Sequence, residues 1–212
     1  MDENRLFRVA GWAAYVSGGI SILALIMLIL FFSVGEPFGY LSDFTGGVVF
    51  RLSMLPLALL MHRLVRPQYR GISLLAFIVG VLSMLANVIS ATLVILKGLG
   101  TVNFPEPIPG GGPYGLTLYA QFGIGTWLVA AGILVLVSRK LPPLLAWIGI
   151  LAGLGLIVGS IGILLGVTLA AAAFLLAAIG YPIWAIWLGR WLLRSRSSQP
   201  SFGSTQSKES LA

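Results

Sequence analysis

The chain has 212 residues, of which 58% are hydrophobic and only 9% are charged, and its mean hydropathy is +1.01. A soluble domain of this size carries roughly a quarter charged residues, so most of this surface must face lipid. The net charge of +7 does not indicate nucleic-acid binding, because the basic residues lie at the ends of apolar runs, as membrane topology requires. Cysteine is absent, which excludes disulfides, iron–sulfur clusters and thiolate chemistry.

The first apolar run follows Arg5 and Arg8 and extends over residues 9–34. It is longer than the roughly 7–15 residues of a signal-peptide core, so we expect a retained transmembrane helix. A hydrocarbon core of about 30 Å requires about 20 apolar residues per crossing. The sequence therefore predicts an all-α membrane protein, a bundle of six transmembrane helices at 9–34, 44–63, 71–97, 114–138, 143–166 and 168–193.

Lysine and arginine in short loops predict the orientation of these helices. Basic residues open the first helix, occur between helices two and three and between helices four and five, and close the last helix, whereas the other side carries Glu36, Asp43 and Glu106. Both termini are therefore expected in the cytoplasm. Residues 1–194 form the transmembrane domain in this interpretation, and 195–212 a disordered, Ser-rich cytoplasmic tail.

Helix two carries Arg51, a charge below the expected membrane surface. Such a charge costs about 2.5–3.5 kcal/mol at a helix centre, so it needs either snorkelling or a partner. The acids on the same side are Glu36, Asp43 and Glu106, and Pro56 leaves the carbonyl of Leu52 without its helical donor. We expect a buried polar site here, with a structural role or the binding of an anionic head group or solute as the two alternatives.

Helix three carries Ser83, Asn87 and Ser90 on one face. Asn87 is central and is expected to point into the bundle, where an interhelical hydrogen bond and a substrate contact are both open. Thr117 and Gln121, early in helix four, are its candidate partners. The candidate ligand- or lipid-binding residues are thus Arg51, Asp43, Asn87 and Gln121.

Helix five contains glycines at the four-residue spacing that lets helices approach closely, which predicts that it is buried in protein. Packing within the monomer and packing against another membrane subunit or a second copy are the alternatives. These glycines are Gly149, Gly153, Gly155, Gly159, Gly162 and Gly166.

Helix six ends in aromatic and basic residues that are typical of an interfacial belt, and Pro182 is expected to kink it. Contact with a cofactor or pigment is the alternative role for the tryptophans. The expected anchors are Trp184, Trp187, Arg190, Trp191 and Arg194.

Signals for catalysis or metal binding are missing. His62 is the only histidine, so a site that needs several imidazoles is impossible, although ligation of one pigment stays open. No acid lies within a helix centre and no nucleotide, zinc-protease or serine-hydrolase motif occurs. We expect no enzyme activity, metal or cofactor.

The segments "RLFRVAGWAAYVSGG" (5–19) and "YPIWAIWLGRWLL" (181–193) resemble those of uncharacterised prokaryotic six-span membrane proteins of the type domain of unknown function 4386. The resemblance covers about 28 residues and the number of spans. It implies a bacterial-type inner membrane protein and transfers no catalytic residue.

Two functions remain open. The first is a non-enzymatic bundle, an accessory or structural subunit or a lipid-binding protein, whose partners are the bilayer and other membrane proteins or further copies of itself. The second is a small-solute or lipid transporter with a polar site around Arg51 and Asn87. Nucleic acid is not expected as a partner.

Overall fold

The computed structural model of the chain describes residues 3–104 and 112–194, and these residues are almost entirely helical. The predictions for the tail and for Glu106 fall outside the described residues. Helices α1 (Glu3–Val34) and α2 (Phe38–Ser42) are followed by a π-helical segment, Asp43–Val49, that runs directly into α3 (Phe50–Gly98). The remaining elements are α4 (Gly112–Ser138), α5 (Pro143–Leu164), a 3₁₀ segment (Thr168–Ala173) and α6 (Phe174–Arg194).

Five helical segments of the described chain are long and apolar enough to cross a membrane. Their outward surfaces carry many exposed apolar side chains, among them Trp12, Phe32 and Leu82, as lipid contact requires. The prediction of an all-helical chain with membrane-length apolar helices is confirmed. One of the five segments, 38–98, has 61 residues and contains both predicted helices two and three.

This long segment is folded back on itself at Tyr69, the one residue of α3 with non-helical dihedral angles (φ −135°, ψ 53°). Arg51 and Asn87 lie 36 residues apart in sequence, about 54 Å along a straight helix, yet their side chains are hydrogen-bonded at 3.2 Å. His62 likewise stacks on Phe77, with the ring centroids 5.3 Å apart. Both pairs lie almost symmetrically about Tyr69, so α3 is a helical hairpin with a first limb (residues 50–68) and an antiparallel second limb (residues 70–98).

The predicted break between helices two and three is therefore narrower than expected. Helical structure continues through most of 64–70, and the reversal is concentrated at Tyr69, two residues after Pro67. Proline lacks the amide donor that an uninterrupted helix needs at that turn. Pro56 and Pro182, in contrast, lie within segments that stay helical around them.

The helices pack in a closed order: α6 contacts α1 and α5, α5 contacts α4, α4 contacts α3, and α3 returns to α1. Glycine lies at the closest crossings. A Cβ on Gly125 of α4 would lie 2.6 Å from the carbonyl oxygen of Gly153 in α5, and a Cβ on Gly80 would lie 2.6 Å from the Trp127 ring. Backbones thus approach to distances that a side chain would prevent.

The connection between α5 and α6 turns at Gly166, whose φ of +75° is favourable only for glycine. The sixth predicted helix begins later than 168 as an α-helix, because Thr168–Ala173 forms a 3₁₀ segment first. Short 3₁₀ turns are common at helix ends.

The two ends of the bundle differ in charge. One end, here called the acidic end, contains α2 and the connections around residues 35–37, 99–104 and 165–167, with Glu36 and Asp43. The other, the basic end, contains the α3 reversal and the α4–α5 connection, with Arg63, Arg66, Arg70, Arg139 and Lys140.

Candidate functional site: a polar cavity in the bundle

A cavity of about 610 Å³ lies inside the bundle, lined by residues of α1, both limbs of α3, the π-helical segment, α4, α5 and α6. Its volume is in the range of small-molecule sites. All four candidate binding residues, Asp43, Arg51, Asn87 and Gln121, line this cavity. The tertiary structure thus brings together side chains that the sequence placed on three different helices and, for Asp43, just before the second helix.

The cavity occupies only the acidic half of the bundle. Leu28 and Tyr114, which are exposed, line it near the acidic end, so it reaches the surface there. Its lining ends at the depth of Met54 and Leu128, both almost fully buried. Beyond them the basic half is filled by tightly buried side chains such as Leu57, Leu60, Leu145, Leu188 and Leu192. The cavity is therefore a blind pocket in the described chain.

Arg51 is 7% exposed, and each of its contacts is with an uncharged group. Its Nε donates to Asn87 Oδ1 at 3.2 Å and its Nη1 contacts Met54 Sδ at 3.7 Å. The guanidinium carbon lies 4.6 Å from the centroid of the Phe50 ring. Among residues 3–104 and 112–194, no carboxylate forms an ion pair with Arg51. Its positive charge is shared with neutral dipoles and a ring, and is not neutralised.

The expectation that Glu36 or Asp43 pairs with Arg51 is wrong, because neither forms an ion pair with it. Glu106, the third candidate acid, lies outside the described residues, so its pairing stays a prediction. The partner is Asn87, which was expected instead to bond Thr117 or Gln121. Thr117 hydrogen-bonds Ser90, 2.6 Å between the hydroxyl oxygens, and Ser90 also donates to the Pro113 carbonyl. This second bond set fixes the start of α4 against the second limb of α3.

Asn87 is 2% exposed and has a polar atom without a partner. Since its Oδ1 accepts from Arg51, its amide Nδ2 must point elsewhere, and Nδ2 has no hydrogen-bond acceptor among the described residues. A buried amide donor without a partner costs roughly 1–3 kcal/mol. Asn87 thus orients Arg51 while keeping its own donor unsatisfied.

Two glycines let the π-helical segment pass between its neighbours and present Arg51 to the cavity. A Cβ on Gly46 would lie 3.2 Å from Ala24 Cβ in α1, and a Cβ on Gly47 would overlap the side chain of Ala91 in the second limb. Ser42 also donates to the Ala24 carbonyl at 3.3 Å. π-Helical turns are rare and frequently accompany functional sites.

The wall beside Arg51 contains residues that the sequence did not single out. The Phe50 and Tyr181 rings meet edge to face with centroids 4.8 Å apart, and the Tyr181 hydroxyl donates to Ser17 Oγ at 3.1 Å. These contacts join the hairpin, α6 and α1 at one depth. The small residues around Ser17, within "VSGG", were the available sign of a close helix crossing.

Asp43 lines the cavity nearer the acidic end than Arg51. The two residues lie eight positions apart on one helical path, most of which is the π-helical segment. The Asp43 carboxylate forms no ion pair within the described residues. An acid and a base therefore line the same cavity without neutralising each other.

The glycines of α5 pack inside this chain. Gly149 lies against Trp184, Gly153 against α4, and Gly155 and Gly159 against the start of α6, while Gly162 lies against Ala170. Gly166 is the turn residue and has no neighbour within 4 Å of an added Cβ.

Trp184 does not lie at the lipid surface where it was expected. It is 5% exposed and packs on Tyr181, with ring centroids 5.5 Å apart. Its helical position faces α5, where Gly149 leaves room for an indole. Trp187 and Arg190 are exposed, Trp191 is half-buried and Arg194 is exposed, all near the basic end.

His62 lies in the first limb near the basic end and is half-buried, and its Nδ1 has no hydrogen-bond partner among the described residues. No group of three potential metal-ligating residues occurs among the described residues. A second, smaller cavity of about 350 Å³ at the basic end is lined by Leu6, Phe7, Arg63 and Arg66, among others.

Comparison of the chain with protein-family models, with curated proteins and with solved structures gives no match. The fold is all-helical in the described residues, with five apolar segments long enough to cross a membrane and a polar-lined cavity between them.

Proposed function

We propose that this chain is a non-enzymatic integral membrane protein that binds a lipid-like amphiphile in the central cavity through an anionic group. The observation that carries the proposal is Arg51, a buried cation in an apolar cavity whose contacts are all neutral. A charge in this environment costs several kcal/mol unless it is compensated. A phosphate or carboxylate bound to the guanidinium supplies that compensation by charge-assisted hydrogen bonds.

The composition of the lining supports an amphiphile over a fully polar solute. Apart from a few polar groups, the walls are aliphatic and aromatic, with Leu25, Leu28, Leu118, Ile163 and Phe174 between Arg51 and the acidic end. Such walls favour an apolar body, and the convergent polar groups fix its head.

The hairpin in α3 supports six membrane crossings, because its antiparallel limbs each have the length of one crossing. With six crossings both termini lie on one side, and the basic end identifies that side as cytoplasmic. The cavity then opens toward the outer leaflet. The resemblance to six-span bacterial inner membrane proteins stays a prediction in keeping with this arrangement.

A role as a subunit of a larger complex stays a proposal, but the glycines of α5 no longer support it. The glycines that suggested a docking face on α5 are used within the chain. A partner membrane protein or a second copy would have to bind another apolar surface.

A transporter is the alternative, favoured by one observation: the polar groups lie at the bottom of a blind pocket, where an alternating-access carrier holds its substrate. Transport would require the packed basic half to open. Purified protein in liposomes that moves a ligand across the membrane would support this alternative, and binding without transport would support the first function.

The test of the proposed function is lipid retention by the full-length protein and by Arg51→Gln, purified in mild detergent and analysed by native mass spectrometry. We expect the unmodified protein to retain a lipid and Arg51→Gln to lose it while the α-helical circular dichroism is unchanged. Arg190→Gln, an exposed arginine far from the cavity, is the matched control and is expected to retain the lipid. Equal retention by Arg51→Gln and the unmodified protein would exclude the proposal.

A further inference from the structure

The cavity carries charges of both signs, and the proposed function uses only one of them. Arg51 lines its floor and Asp43 its wall toward the acidic end. Neither charge is paired with the other or with another ionised side chain in the described residues. A simple anion would leave Asp43 without a partner and would be repelled by it.

The two charges lie in a fixed order along one helical path. The π-helical segment and the start of α3 place Asp43, Gly47 and Arg51 along one side of the cavity, and all three line it. Gly47, between the acid and the base, packs directly against Ala91 of the second limb, where a Cβ would not fit. Gly46 packs against α1 and Gly47 against the second limb, and these contacts hold the backbone of the segment in place. A backbone movement that brought Asp43 and Arg51 together would disrupt this packing.

The contacts of Arg51 suit a bridging ligand. Its guanidinium is hydrogen-bonded to Asn87 and contacts Met54, and no ion pair joins it to Asp43 among the described residues. A ligand that carries both an anionic and a cationic group can bind each of the two charges where it lies.

We infer that the ligand is zwitterionic: an anionic group binds Arg51 beside Asn87, and an ammonium group binds Asp43. The inference rests on the proposed function and adds the specificity residue, Asp43. The shared chemistry is an anion and an amine joined by a short linker, as in an ethanolamine phosphate. It can come from a phospholipid head group or from a soluble zwitterion.

The test compares two lipids with identical acyl chains, phosphatidylethanolamine, which carries an amine, and phosphatidylglycerol, which is anionic and carries none. The full-length protein is reconstituted in vesicles containing equal amounts of both, re-extracted in mild detergent, and the retained lipid is quantified by native mass spectrometry. We expect about tenfold preference for the ethanolamine lipid, the ratio that one charge-assisted hydrogen bond confers.

Asp43→Asn is expected to reduce this ratio to about one or below, because it removes the ammonium partner while keeping the side-chain shape. Glu36→Gln is the matched control: Glu36 is the neighbouring acid outside the cavity lining, and its loss is expected to keep the preference. Arg51→Gln is expected to reduce retention of both lipids.

Each outcome separates the two proposals. Equal retention of both lipids by the unmodified protein, or an Asp43→Asn variant with unchanged preference, overturns the zwitterion inference and leaves the anion site standing. No retained lipid in any variant overturns the lipid function. If no lipid is retained, a second measurement tests whether glycerophosphoethanolamine displaces a spin-labelled zwitterion from the protein. Displacement supports a soluble zwitterion bound to Arg51 and Asp43. A lack of displacement overturns the zwitterion inference as well.

Discussion

The hydrogen bond between Arg51 and Asn87 joins the two limbs of α3 without neutralising the guanidinium. Asn87 uses its carbonyl oxygen on Arg51, but an amide carries no charge and leaves the guanidinium positive. An aspartate at the same position would have neutralised Arg51 fully. The identity of residue 87 therefore decides whether the cavity can attract an anion.

At this scale we predict opposite effects for two substitutions of Asn87. Asn87→Asp supplies a counter-charge to Arg51, so the thermal unfolding midpoint is expected to equal or exceed that of the unmodified protein, while lipid retention falls. Asn87→Leu leaves the Arg51 Nε without its acceptor and is expected to lower the free energy of unfolding by about 1–3 kcal/mol. A detergent-based thermal shift assay, with lipid quantified on the same samples, measures both. Undiminished lipid retention by Asn87→Asp would contradict the role assigned to the free charge of Arg51.

At the scale of the element, the π-helical segment is the part that positions the site. It joins α2 to the first limb of α3, and its glycines allow contact with α1 on one side and the second limb on the other. The Arg51–Asn87 hydrogen bond lies one turn away from Gly47. Separation of the limbs at Gly47 would therefore lengthen that bond.

We predict that Gly47→Ala destabilises the protein by about 1–3 kcal/mol, because the new Cβ overlaps Ala91 in a packed crossing. Gly71→Ala is the matched control. Gly71 is a helical glycine in the second limb of α3, but an added Cβ there has no neighbour within 4 Å, so we expect a neutral or slightly stabilising effect. Thermal unfolding in detergent distinguishes the two, and equal midpoints would show that the π-helical segment does not approach the second limb closely at Gly47.

At the scale of the whole molecule, the hairpin determines the number of crossings in the proposed membrane arrangement. If the segment 38–98 were one straight helix, residue 70 would lie near its middle and residue 103 just beyond its far end. Folding at Tyr69 instead places the reversal at the basic end and the α3–α4 connection at the acidic end.

The absence of cysteine makes this arrangement measurable without background labelling. We predict that a membrane-impermeant maleimide labels Asn103→Cys on intact cells, whereas Arg70→Cys and Arg139→Cys are labelled only after permeabilisation. Labelling of Asn103→Cys and Arg70→Cys from the same side would contradict six crossings.

Much of the fold could be predicted because composition and charge placement act locally. Apolar runs bounded by basic residues indicate membrane helices irrespective of their neighbours, and the observed helices follow most of the predicted bounds. The reversal between predicted helices two and three lies at Tyr69, within the predicted connection 64–70, but the break is narrower than predicted because one non-helical residue is enough to reverse the chain. The role of Trp184 was wrong for a related reason: the spacing of aromatic residues indicates a shared face but not whether that face meets lipid or another helix.

The membrane character of the protein and the residues of its polar site follow from local chemistry, since a charge or amide in an apolar run is costly wherever the run is placed. Their partners do not follow, because a hydrogen bond between Arg51 and Asn87 depends on a reversal at Tyr69 and on two glycines that admit close approach. The pairing of Arg51 with a neutral amide, in place of an acid, is a property of the tertiary structure alone. It leaves an unneutralised cation and a separate carboxylate lining one cavity, because the Arg51 side chain is hydrogen-bonded to Asn87 and not to Asp43.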